Sequence, residues 1–136
     1  MAWNPEGMAL QCLLVDDNAP FLEVARGLLT TQGVDVVATA STGVEALRLA
    51  ARLRPDLVLV DIDLGGESGF ELTRRLAEET SRLPLSVILI STHSEDDFAD
   101  LIAESPAVGF LSKSALSASA IHELLGREPG KESVRT

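Results

Sequence analysis

Five short apolar runs punctuate the chain, and the segments between them carry apolar residues at helical spacing. Residues 10–15 (LQCLLV) end at Asp16-Asp17-Asn18 and predict a strand followed by a loop. Pro20 then stands at a helix start, where its missing N–H costs nothing. Phe21, Val24, Ala25, Leu28 and Leu29 mark one face of that helix, and Gly33 closes it. Residues 34–38 (VDVVA) predict a second strand. Thr42 and Gly43 precede a helix with Val44, Ala46, Leu47, Leu49, Ala50 and Leu53 on its apolar side, ended by Arg54-Pro55. Residues 57–60 (LVLV) predict a third strand. Gly65, Gly66 and Gly69 lie in its loop, and Ser68 is placed to cap a third helix carrying Phe70, Leu72, Leu76 and Ala77. A fourth strand over residues 85–90 (LSVILI) is followed by a short helix over 96–103, bounded by Ser105-Pro106. Residues 109–111 predict a short fifth strand, and residues 115–125 the last helix, with Leu116, Ile121, Leu124 and Leu125 apolar.

The strands are continuous apolar runs rather than alternating ones. That is the pattern of a parallel sheet covered on both faces. Strand and helix alternate five times, which implies an α/β, doubly wound, five-stranded parallel sheet with five helices and right-handed crossovers, flavodoxin-like with strand order 2-1-3-4-5. The domain is expected over residues 10–125, between an N-terminal tail (1–9) and a polar C-terminal tail (126–136). In such sheets a ligand binds beyond the carboxyl ends of the strands.

The 136 residues suffice for one domain with a core of its own. Cys12 is the only cysteine, so no internal disulfide forms, and a reducing, cytoplasmic setting is the default. No apolar run is long enough to span a membrane. The net charge of −10 argues against this chain gripping nucleic acid and suits a cation site or a basic partner surface.

The strand-end rule brings specific chemistry to one rim. Strand one contributes Asp16 and Asp17, strand three Asp61 and Asp63, strand four Ser91 and Thr92, and strand five Lys113. Three or more carboxylates at one point repel one another and are tolerated when a divalent cation sits among them. Oxygen ligands without His or Cys favour Mg2+ or Mn2+ over zinc. Beside such a metal a carboxylate can attack a phosphoryl group and form an acyl phosphate. Lys113 and a hydroxyl of Ser91 or Thr92 could then compensate charge on the phosphoryl oxygens. Plainer roles exist for each residue: a strand-end acid capping a loop for Asp61, a helix N-terminal acid pair for Asp16-Asp17, a solvated lysine for Lys113 and an ordinary turn residue for Ser91.

In order along the chain, Asp16-Asp17, Asp61, Gly69 eight residues later, Ser91, and Phe110 three residues before Lys113 resemble the receiver domain of two-component response regulators. The resemblance covers roughly residues 10–125. It implies that Asp61 accepts phosphate from a sensor histidine kinase or a phosphotransfer protein. It implies Mg2+ held by Asp17, Asp61 and the backbone carbonyl of Asp63, with Asp16 acting mainly through metal-bound water. Lys113 would pair with Asp61 and then with the phosphoryl group. Ser91 would move onto a phosphoryl oxygen, and Phe110 would turn inward behind it. The surface of helix four, strand five and helix five would then change its partners, with phosphorylation-dependent dimerisation among the outcomes. No catalysis beyond self-phosphorylation and dephosphorylation is implied.

The sequence departs from the family pattern at several places. Ser114 follows Lys113 where proline is frequent, and Gly65 stands where a second proline is common. Thr92 is bulkier than the usual Ala or Gly, Phe110 replaces the more frequent Tyr, and Pro106-Ala107 precedes strand five instead of Gly-Ala. DVVATA and GFLSKSAL resemble receivers that precede helix-turn-helix DNA-binding domains, so the chain is expected to be either a stand-alone receiver or one excised from such a regulator. Two other readings compete. Asp61-x-Asp63 resembles the nucleophile loop of haloacid-dehalogenase-type phosphatases, although there the motif follows the first strand. A receiver fold that binds a partner without phosphorylation is the other. His93 and the Asp63 side chain lie near the rim and could tune hydrolysis, and His122 reads as a helix-surface residue.

Overall fold

The computed structural model describes residues 10–79 and 85–126. Both expected tails lie outside the described residues, apart from Gly126. Five parallel strands form one sheet: β1 (Gln11–Val15), β2 (Asp35–Ala40), β3 (Leu57–Asp61), β4 (Ser86–Ser91) and β5 (Gly109–Ser112). Their order is β2-β1-β3-β4-β5, as the alternating pattern predicts. The helices are α1 (Ala19–Thr31), α2 (Gly43–Leu53), α3 (Gly69–Glu79), α4 (Ala99–Glu104) and α5 (Ala118–Gly126).

Side-chain alternation along the strands divides the core into two layers. Cys12, Leu14, Leu57, Leu59, Ile88 and Ile90 face α1 and α5, meeting Ala25, Leu29, Leu116 and Ile121. Leu13, Val15, Val58, Val60, Val87 and Leu89 face the other way, against Ala46 and Ala50 of α2 and Leu72 and Leu76 of α3. A strand buried on both faces needs apolar residues at every position, which is why these runs do not alternate.

Caps fix the helix starts. Asn18 Oδ1 accepts from Phe21 N–H at 3.0 Å, Thr42 Oγ1 from Glu45 N–H at 3.2 Å, and Ser68 Oγ from Phe70 and Glu71 N–H at 3.2 and 3.3 Å. The Ser68 cap is the one expected from sequence.

The structure corrects several expectations. The last helix starts at Ala118 rather than Ala115, because Lys113–Ala115 forms a 3-10 turn and Leu116 is extended. Likewise Glu95–Phe98 is a 3-10 turn ahead of α4. The second strand runs two residues further, to Ala40. On the helix faces, Val24 and Val44 are mostly exposed, at 70% and 75%, and only the Ala25, Leu29, Ala46 and Ala50 side of each stripe is buried. The loop after β3 is itself structured. Asp63–Leu64 and Glu67–Ser68 pair antiparallel as a two-residue ribbon, with Gly65-Gly66 as its turn.

Candidate functional site

Strand register builds the site. Val15 of β1 is level with Val60 of β3, so Asp16, the next residue, comes out beside Asp61. Asp61 in turn is level with Ile90 of β4, which puts Ser91 one step beyond. Ser91 is level with Ser112 of β5, immediately before Lys113. Residues distant in sequence thus reach one rim because the strands are parallel and closely in register.

Asp16, Asp17 and Asp61 each present a carboxylate oxygen, all within 4.8 Å of one another. Asp16 is fully buried and Asp61 is 7% exposed, whereas Asp17 faces solvent. Asp16 is fixed by its own loop: its N–H donates to Ala40 O at 3.0 Å and its Oδ1 accepts from Asn18 N–H at 2.9 Å. Asp61 Oδ1 accepts from Asp63 N–H at 3.2 Å.

Lys113 Nζ bridges the two buried carboxylates, 2.6 Å from Asp16 Oδ2 and 3.3 Å from Asp61 Oδ2. The contact with Asp16 is an ion pair, and among the described residues no other donor reaches that oxygen. The ammonium also lies 4.4 Å from the centre of the Phe21 ring, a cation–π contact from the first turn of α1. Among the described residues no peptide bond is cis, so Lys113–Ser114 is trans; the lysine is presented by the 3-10 turn and these three contacts.

One ammonium does not neutralise three carboxylates. Burial pushes the Asp61 carboxyl up from 3.8 to about 6, and the charge of Asp16 adds to the shift against the opposing pull of the Asp63 N–H and Lys113. For Lys113, burial pulls the ammonium down, but the hydrogen-bonding and charge of Asp16 and Asp61 outweigh it and the net shift is up. An oxygen-only cluster with excess negative charge fits a hard divalent cation.

Ser91 is buried at the end of β4. Its Oγ accepts from His93 N–H at 2.9 Å and lies 3.4 Å from His93 Nδ1. The imidazole stands edge-on to Phe98 at 5.8 Å between ring centres. Thr92 and the Asp63 side chain are exposed, as is His122 on α5. Phe110 is buried in the layer shared with α2 and α3, level with Leu89. The structure therefore brings Asp16, Asp17, Asp61 and Lys113 into one cluster and leaves the Ser91 hydroxyl engaged with its own loop.

The ribbon forms the remaining wall. Gly65 and Gly66 have φ of +60° and +104°, the paired positive values that a two-residue hairpin turn requires and that glycine adopts without strain. A Cβ on Gly65 would stand 2.5 Å from Asp17 Oδ2, so the bare backbone is what admits that carboxylate. Gly69 packs still closer: a Cβ there would lie 2.1 Å from the Asp61 carbonyl oxygen. Sequence reasoning saw neither the Phe21 contact nor the ribbon. Phe21 sits at core-like helical spacing, and only the paired glycines signalled a turn.

Residues 12–125 match the response regulator receiver domain, and the chain belongs to that family. It is 33% identical to the response regulator GacA of Pseudomonas aeruginosa over 107 residues, 78% of this chain and 49% of GacA. It is 32% identical to the transcriptional regulatory protein LiaR of Bacillus subtilis over 128 residues, 91% of this chain and 60% of LiaR. The receiver domain of the response regulator NarL from Mycobacterium tuberculosis superposes with a TM-score of 0.74 at 28% identity, covering 88% of this chain and 98% of that one. The chain thus spans about half the length of GacA and a little more of LiaR. The match favours neither the phosphatase reading nor the unphosphorylated module. No helix among the described residues is long and apolar enough to cross a membrane.

Proposed function

We propose that Asp61 is the phosphoacceptor of a two-component system, taking its phosphoryl group from a phosphohistidine of a sensor kinase or phosphotransfer protein. A carboxylate oxygen of Asp61 attacks phosphorus, the P–N bond breaks, and its electron pair leaves with the imidazole, giving an acyl phosphate. The observation that carries this reading is Asp61 at the carboxyl end of β3, clustered with Asp16 and Asp17 and 3.3 Å from Lys113.

Asp16, Asp17, Asp61 and the backbone carbonyl of Asp63 are the groups that would hold Mg2+ or Mn2+. When bound, the ion supplies positive charge against the phosphoryl oxygens. Lys113 already touches Asp61 and would follow its charge onto the phosphoryl group. The Ser91 hydroxyl, whose oxygen accepts from His93 N–H, would donate its O–H to a phosphoryl oxygen, with Thr92 offering a second hydroxyl. Phe110, packed behind β4, would adjust with Ser91. The added charge would bias the surface of α4, β5 and α5 between two states and so change partner affinity, including self-association. The chemistry is confined to the chain's own aspartate. DNA binding, if the full regulator has it, belongs to an output domain outside this acidic, cytoplasmic receiver.

Incubation with a small phosphodonor and Mg2+ should give an alkali-labile mass increment of one phosphoryl group, absent in Asp61→Asn. Rapid turnover of many phosphate monoesters would support the phosphatase, and no increment from any donor would support the unphosphorylated module.

A further inference from the structure

The ribbon after β3 poses a mechanical question. It carries the Asp63 N–H that meets Asp61 and the Gly65 backbone that meets Asp17, so its placement shapes two of the three carboxylates. Yet it has only two residue pairs, and its turn is Gly65-Gly66, the least restrained dipeptide available. Buried Leu64 anchors one strand of the ribbon in the core, but Glu67 and Ser68 of the other are exposed, and something outside the ribbon must hold that strand.

Glu67 is the residue placed to do so. Its Oε1 accepts a hydrogen bond from Gly43 N–H at 2.8 Å, reaching 24 residues back to the first residue of α2. The first N–H groups of a helix have no partner within it, and the dipole favours a carboxylate there. Thr42 already serves Glu45 N–H, so Glu67 satisfies a different orphan donor. Gly43 is matched to the contact, since a Cβ there would lie 2.8 Å from that same oxygen. Beside the contact runs an open cleft lined by Val44, Ser68, Leu72 and Arg75.

We infer that Glu67 is a positioning residue for the cation site, clamping the Gly65-Gly66 ribbon to the N-terminus of α2. The inference rests on the functional reading above. α2 is anchored by Ala46 and Ala50 in the core, so the clamp gives the ribbon a second anchor beside buried Leu64. The conformational entropy of two glycines is restrained before a cation arrives, which raises affinity without adding a ligand.

The test is Mn2+ binding to the full chain by calorimetry, with Asp17→Asn as the ligand-loss control. Glu67→Ala should weaken binding about 5- to 10-fold while leaving the fold intact by circular dichroism. Glu67→Gln keeps an acceptor of the same reach and should stay within about twofold of the parent. Gly43→Ala, which displaces Glu67 without touching it chemically, should reproduce the Glu67→Ala loss. Hydrogen exchange should quicken over residues 63–68 in Glu67→Ala. A folded Glu67→Ala chain that binds Mn2+ like its parent overturns the clamp alone, as does a Glu67→Gln chain that loses as much as Glu67→Ala. A parent chain that binds no Mn2+ overturns the functional reading and the clamp's link to the cation together.

Discussion

The two walls that flank the carboxylate cluster are held by opposite means. On the β5 side, Lys113 is placed by side chains: Asp16 at 2.6 Å, Asp61 at 3.3 Å and the Phe21 ring at 4.4 Å. On the β3 side, the ribbon is placed mostly by bonds to backbone groups: the pairing of Asp63–Leu64 with Glu67–Ser68, Gly69 N–H donating to Ile62 O at 2.7 Å, the Ser68 cap on Phe70 N–H, and Glu67 accepting from Gly43 N–H at 2.8 Å. Charge can redistribute when a phosphoryl group arrives; a backbone ladder cannot. The contrast suits a site in which the lysine follows the charge and the ribbon stays still.

The largest effect should come where backbone meets backbone. Gly69→Ala would set a Cβ 2.1 Å from the Asp61 carbonyl oxygen and 2.7 Å from Ile62 Cα, with no flexible side chain able to yield. We expect a loss of about 3 kcal/mol or more in urea unfolding. A near-neutral result would mean that the ribbon side is as compliant as the lysine side.

Next comes the charge cluster itself. The folded chain holds the Asp61 proton more tightly than the unfolded one, since the group rises from 3.8 to about 6. Its contribution is therefore favourable at low pH and is lost as pH rises through about 6. Asp61→Asn is neutral throughout. With metal chelated, the variant should be the more stable by on the order of 2 kcal/mol at pH 7–8, and the gap should close toward pH 4. Saturating Mg2+ should narrow the gap at pH 7, because the ion binds the folded parent's ionised cluster. Urea unfolding from pH 4 to 8 measures both, and parallel profiles for the two chains would refute the proposed strain in the cluster.

Gly65→Ala separates the two kinds of wall within one residue. Its φ of +60° should cost about 1 kcal/mol in any context. The Cβ also meets Asp17 Oδ2 at 2.5 Å, the mobile end of an exposed side chain. The double variant with Asp17→Ala should recover the steric part and keep the backbone part, measured by unfolding of the four chains of the cycle.

How much of this was legible in the sequence follows the same division. Uninterrupted runs such as LVLV required a two-sided parallel sheet, and the strand-end rule then gathered Asp16, Asp17, Asp61 and Lys113 at one rim. Local capping chemistry at Ser68 was also readable, because its partners lie within three residues. What escaped was long-range: Glu67 reaching Gly43, and Phe21 reaching Lys113. Neither contact leaves a local signature. A phenylalanine at helical spacing reads as core, and a glutamate in a loop reads as solvated. The exposure of Val24 and Val44 escaped for the related reason that an apolar stripe does not reveal how wide its buried part is. The late start of α5 at Ala118 has a local cap, Ser117 Oγ accepting from Ala120 N–H at 3.0 Å, and a long-range partner in Gln32 at the end of α1, whose Oε1 accepts from Ala118 N–H at 2.6 Å.

The smallest predicted effect is the most direct probe of the side-chain wall. Phe21 offers the Lys113 ammonium a ring face that a leucine of similar bulk lacks. In a double-mutant cycle of Phe21→Leu with Lys113→Met, the coupling should be about 0.5–1 kcal/mol, and Phe21→Trp should preserve it. Phosphorylation by a small donor should slow in Phe21→Leu and recover in Phe21→Trp, because the ring, besides packing against the core, holds the ammonium over the carboxylates. Zero coupling would leave the carboxylates as the lysine's only restraint. Lys113 would then be placed by charge alone, and its position should drift in Asp16→Asn, where the 2.6 Å partner loses that charge. A measurable coupling instead makes the lysine wall partly independent of the cluster it serves, as the ribbon is through Glu67.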